Sequence, residues 1–142
     1  MTNSGSFRFL VVLLLLATPL ARAVDVSSDE MAMAKQWTTA NLTGPASTFP
    51  FSFTYGGQSS ATLLGQWKLQ RSDTQLDAQR IQHTLTFTDP GTGLQVKCVA
   101  VEYLDFPTVE WALYFTNTGT ASTPIVESIQ ALDTSLQRGS QG

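Results

Sequence analysis

Between Cys98 and Asn117 two strand-like runs meet at a single turn carrying Asp105 and Pro107, and a chain built this way is committed to a sheet. In the second run Val109, Trp111, Leu113 and Phe115 fall on one face and Glu110, Ala112, Tyr114 and Thr116 on the other, the alternation of a half-buried strand. In the first, Cys98, Ala100 and Glu102 alternate with Val99, Val101 and Tyr103, so both faces are partly apolar. This predicts a strand covered on two sides, within a sandwich or against a larger partner. Asp105 is placed to accept hydrogen bonds from the turn's own amides, and Pro107 fixes the backbone there.

The rest of the chain continues the pattern. Ser27-Ser28-Asp29-Glu30 has the form of a capping box and predicts a short helix with Met31, Ala34 and Trp37 on one face, ended by Asn41 and Gly44-Pro45. From Phe49 the period becomes two. Phe49, Phe51, Phe53 and Tyr55 alternate with Pro50, Ser52 and Thr54, and Gly56-Gly57 turns the chain. Further strands are expected over Thr62 to Gln70, Arg80 to Thr88, Leu94 to Tyr103, Val109 to Thr116 and Pro124 to Leu132. Asp89-Pro90-Gly91-Thr92-Gly93 and Asn117-Thr118-Gly119-Thr120 form turns between them. The fold class is mostly β, an antiparallel sheet or part of a sandwich with one short N-terminal helix.

Ahead of this region Arg8 precedes an apolar run from Phe9 to Ala17, and Ala21-Arg22-Ala23 offers the small residues of a cleavage site. Residues 1–23 read as a signal peptide, with export to the periplasm or beyond and Val24 as the mature N-terminus. The run is too short for a membrane-spanning helix, so no membrane association is expected after cleavage. Residues 24–48 form the helix and a connector, 49–133 the β-sandwich and 134–142 a polar tail. Strands with two apolar faces need a cover that the remaining residues scarcely supply, so the sandwich is expected to be incomplete, the front part of a longer protein.

Removing Arg8 and Arg22 leaves six basic side chains against eleven acidic ones, a net charge of −5 that disfavours nucleic acid as a partner. The single cysteine, Cys98, excludes an internal disulfide and is expected to be an inert buried thiol. His83 has no Cys or second His near it in sequence, so neither a metal site nor a cofactor is expected.

Candidate chemistry is sparse. Glu102, Asp105 and Glu110 surround the hairpin turn, and two of them could serve glycoside hydrolysis if the register set Glu102 opposite Glu110. Solvent-facing strand acids are the commoner outcome, and no catalytic residue is assigned. His83 is the only base for a Ser-His-acid relay, and neither a Gly-x-Ser-x-Gly elbow nor a phosphate loop leading into a helix is present. Trp67, Trp111 and Tyr103 are candidate carbohydrate contacts, since sugar rings pack on flat apolar faces with polar tips. Of these, Trp111 alternates with core residues, while Trp67 beside Gln66 and Lys68 could lie inside or out.

Taken in order, Phe-Pro-Phe-Ser-Phe-Thr-Tyr at 49–55, Gln66-Trp67-Lys68, His83-Thr84-Leu85-Thr86, Asp89-Pro90 with Thr92-Gly93-Leu94, Glu102-Tyr103 with Asp105-Phe106-Pro107 and Val109-Glu110-Trp111, and Phe115 with Asn117 and Gly119 form a set. Together they resemble the N-terminal β-domain of bacterial α-galactosidases (melibiases) of glycoside hydrolase family 36, from about Asp29 to Asp133. The resemblance implies a partial β-supersandwich in front of a (β/α)8 barrel whose two aspartates carry out a retaining reaction. No position here matches either aspartate. It further implies a non-catalytic domain that packs on that downstream barrel, shapes the entrance for a galactoside or oligosaccharide and contributes to homo-oligomer contacts. The alternative is a free-standing secreted carbohydrate-binding or adhesion module, for which Trp67 is the leading contact.

Overall fold

The computed structural model describes residues 25–44 and 48–134. The expected leader, its cleavage point before Val24, Pro45 and residues 135–142 of the tail lie outside them. Two antiparallel sheets and a short N-terminal helix form, so the mostly β class expected from the sequence is the one that folds.

Helix α1 (Ser28–Thr38) starts where its box predicts: the Glu30 amide donates to Ser27 Oγ at 3.2 Å and the Ser27 amide to Glu30 Oε2 at 2.9 Å. The Ser27 amide, and then its hydroxyl, hold the Glu30 carboxyl below its ordinary range. Towards its end the Thr38 and Thr39 hydroxyls bond back to the carbonyls of Ala34 and Lys35, and the helix widens into a π-helical turn, Thr39–Thr43, closed at Gly44. Back-bonding hydroxyls of this kind compete with the regular ladder. Leu42 in that turn is wholly buried, and Arg71 fixes the turn to the sheet by donating to the Leu42 carbonyl at 2.6 Å.

The smaller sheet has the order β2-β1-β7, from β1 (Ser52–Tyr55), β2 (Gln58–Ser59) and β7 (Val126–Gln130). Gly56 and Gly57 close the β1–β2 hairpin at φ of 56° and 78°; both central residues of such a turn need positive φ, which is why glycine stands at both. The larger sheet has the order β3-β4-β5-β6, from β3 (Lys68–Gln75), β4 (Arg80–Thr88), β5 (Leu94–Tyr103) and β6 (Val109–Asn117).

One expected strand is corrected. Thr62 to Gln70 is not continuous: Ser59 caps a single helical turn, α2 (Ser60–Leu63), and the strand begins at Lys68 and runs on to Gln75. From Arg71 to Gln75 it carries no apolar alternation, because an edge strand takes its stability from the ladder with β4 more than from burial.

The core lies between the sheets. Leu85, Phe87, Leu94, Val96, Cys98 and Ala100 line the inner face of the larger sheet, each 3% exposed or less, and share the core with Phe53 and Tyr55 of the smaller one and Phe51 just before it. Phe87 meets Phe49 edge-on at 4.8 Å, and Phe53 meets Phe115 edge-on at 5.3 Å, arrangements that the ring quadrupoles favour. The expectation that β5 is covered on both faces holds for one: Val99 and Val101 on the outer face are half-buried. No described helix is long and apolar enough to cross a membrane.

Burial raises the Cys98 thiol from its ordinary 9.0 to about 12. The neutral thiol is the form that the fold favours, so this residue withdraws stability as pH rises from about 9.0 towards 12 and none below that window. Alkylation of Cys98 at pH 8 is expected to be slow in the folded chain and fast in urea. Equal rates in the two would show that the thiol is not enclosed.

Candidate functional site

The β5–β6 hairpin decides what its acids can do. Its ladder pairs Glu102 with Val109 and Val101 with Glu110, so Glu102 lies on the inner face and Glu110 on the outer one. Two carboxylates on opposite faces of a sheet cannot flank one glycosidic bond at the separations that hydrolysis needs, about 5–5.5 Å for retention or 6.5–9.5 Å for inversion. Each has another engagement: Glu110 accepts from the Tyr103 hydroxyl at 3.1 Å, and Glu102 meets His83.

His83 is 7% exposed and stands between two carboxylates, with Nδ1 at 2.8 Å from Asp73 Oδ1 and Nε2 at 2.9 Å from Glu102 Oε2. The sheet builds this row. Asp73 on β3 is directly opposite His83, and Glu102 on β5 is two residues along from Ala100, the His83 partner on the other side. An ionised carboxylate only accepts, so both contacts are hydrogen bonds when both ring nitrogens carry protons. A Ser-His-acid relay needs one ring nitrogen free for the nucleophile, and here both are occupied. The row acts as a clamp across three strands. Among the described residues no group of three or more His, Cys, Asp or Glu is disposed to hold a metal ion.

The aromatic candidates are not brought together. Trp67, 8% exposed, packs edge-on against Tyr55 at 5.6 Å and beside Phe53, inside the core and not on a surface. Trp111 is on the inner face, as its alternation predicts, stacked on Trp37 of α1 at 5.5 Å with its indole N–H donating to the Ala131 carbonyl at 2.7 Å. Tyr103 belongs to the outer face, with its hydroxyl on Glu110. Trp37 and Trp111 wall an open groove of about 380 Å³ with Pro107, Val109 and Leu132. Another cavity, of about 250 Å³, lies between α1 and β5 and includes Met31, Thr38, Glu102 and Leu104 in its lining.

The hairpin turn is a correction. Tyr103 donates to the Thr108 carbonyl and Thr108 to that of Phe106, so backbone closes the turn beside Pro107. The Asp105 carboxylate is exposed and takes no hydrogen bond within the described residues.

Capping by Asp occurs in the other turns. Asp89 accepts from the Gly91 amide and the Thr92 hydroxyl, and Thr92 in turn accepts from Tyr55, which ties the two sheets together. Asp77 caps the β3–β4 turn: the Arg80 guanidinium, and then the Gln79 amide, hold its carboxyl below the ordinary range. The Asp89–Leu94 and Asn117–Gly119 motifs, distant in sequence, meet in the fold. Thr118 donates to the Gly93 carbonyl at 3.0 Å, and a Cβ on Gly119 would overlap the Thr92 carbonyl.

Searches against protein-family models, curated proteins and solved structures return no match to this chain.

Proposed function

We propose that this chain is the non-catalytic N-terminal β-domain of a secreted α-galactosidase-type glycoside hydrolase, supporting a downstream (β/α)8 barrel that carries the chemistry. The reading rests on the ordered motif set from Phe49 to Gly119. One structural observation supports it above others: the conspicuous acids and aromatics of those motifs are engaged in holding the sandwich. Glu102 clamps His83, Glu110 holds Tyr103, Trp111 stacks on Trp37, and Trp67 fills the core. Residues kept for architecture suit a supporting domain, and function belongs to sites rather than to folds.

Leu104 and Phe106 at the hairpin tip are 43% and 49% exposed, an apolar pair suited to packing on a neighbouring domain. Trp67, the leading contact of the free-standing binding-module reading, is enclosed. The gene tests the proposal directly: the reading frame beyond Gly142 is expected to encode a (β/α)8 barrel with two facing aspartates. A stop codon immediately after Gly142 would contradict it.

A further inference from the structure

We propose that β6 is an assembly edge at which two copies of this chain join their larger sheets into one across a twofold axis. The inference rests on the strand itself and is independent of the glycosidase reading.

The two edges of the larger sheet differ in kind. β3 carries Lys68, Arg71 and Asp73 along its length, and such charges discourage a further strand from pairing. β6 ends the sheet on the other side, and no described strand lies beyond it. Over Val109–Asn117 it has one charged side chain, Glu110, and neither Pro nor Gly. Its ladder with β5 runs from Leu94↔Asn117 to Glu102↔Val109 without a bulge, so the free side presents a straight row of backbone donors and acceptors.

Burial gives a second, independent sign. On β5 the inner-face residues Leu94, Val96, Cys98 and Ala100 are 0–3% exposed, whereas Val109, Trp111, Leu113 and Phe115, continuing that face on β6, are half-buried. Tyr114 on the outer face is 52% exposed. The core therefore thins out at this edge.

What identifies the occupant as a second copy is the fit of the strand to itself. A twofold axis perpendicular to the sheet keeps the inner face on one side, so opposed residues must face the same way and the axis must pass through a residue. Overlap of the whole strand puts it at Leu113. Trp111 then meets Phe115 of the other copy, Leu113 meets its own counterpart, Ala112 meets Tyr114 and Glu110 meets Thr116. Around the axis apolar side chains oppose apolar ones on the inner face, Val109 meets Asn117 at the strand ends, and no like charges come opposite each other. The guarded β3 edge then closes the assembly at two.

The test is the mass in solution of the chain from Val24 onward, by light scattering on a sizing column across the micromolar range. A dimer is expected. The Ala112→Lys/Tyr114→Lys variant, altered only at exposed outer-face positions, is expected to be monomeric with an unchanged circular dichroism spectrum; Tyr114→Lys alone serves if the pair disturbs folding. Leu113→Cys is expected to form a disulfide-linked dimer on mild oxidation, since residues facing each other across the axis come within disulfide reach. A wild-type monomer throughout, a dimer untouched by the lysines, or linkage at Ala112→Cys in preference to Leu113→Cys would each overturn the proposal.

Discussion

Replacing His83 by alanine is expected to destabilise the chain by about 3 kcal/mol, the upper end of what leaving a buried hydrogen-bonding group without its partner costs. The two halves of the clamp contribute unequally. The Asp73 side chain is 68% exposed, so water screens that contact and its loss costs little, while the Glu102 side chain is 15% exposed and would be stranded without a partner. Against a total of about 5–15 kcal/mol for a domain, urea unfolding would register the loss clearly. The double variant His83→Leu/Glu102→Met is expected to recover most of it, because an apolar pair leaves no carboxylate uncompensated. If His83→Ala unfolded at the wild-type urea midpoint, the clamp would have no structural role.

The second large effect is at Trp67. Its removal in Trp67→Ala opens a cavity beneath Phe53 and Tyr55 and is expected to cost about 4 kcal/mol, in the range for buried tryptophan. Trp67→Phe should restore part of the loss by refilling the space. The same variant separates the two functional readings. A binding module using Trp67 would lose glycan affinity at unchanged stability, whereas a core residue loses stability first. Urea midpoints of the variants, read beside glycan binding of the wild type, distinguish these outcomes.

Much of the architecture was legible from the residues. The capping box at Ser27, the glycine pair of the β1–β2 hairpin and the alternation of β6 are local signals, each fixed by a few neighbouring side chains, and they appear where the sequence places them. The polar stretch of β3 was not legible, since Arg71 to Gln75 pair through backbone groups that any side chain can accompany. The clamp was hidden for a related reason. His83, Asp73 and Glu102 become neighbours only through strand order and register, and a one-residue slip would turn any of them to the other face. Register likewise settled the acids of the hairpin, by setting Glu102 and Glu110 back to back. Asp105 had the right residue type for a turn cap, but the turn is closed by backbone bonds from Tyr103 and Thr108 without it.

These results give the Cys98–Asn117 hairpin an architectural role. Its inner face closes the core, Glu102 anchors the clamp and Trp111 receives the helix through Trp37. The proposed function assigns the chemistry to a separate barrel. The most direct measurement of that claim is hydrolysis of an aryl α-galactoside by the isolated chain from Val24 to Gly142, with its fold verified by circular dichroism. No turnover above the uncatalysed rate is expected from it, and turnover is expected from a polypeptide extended by the proposed barrel. Reproducible hydrolysis by the isolated chain, lost in Glu102→Gln or Glu110→Gln, would contradict the account.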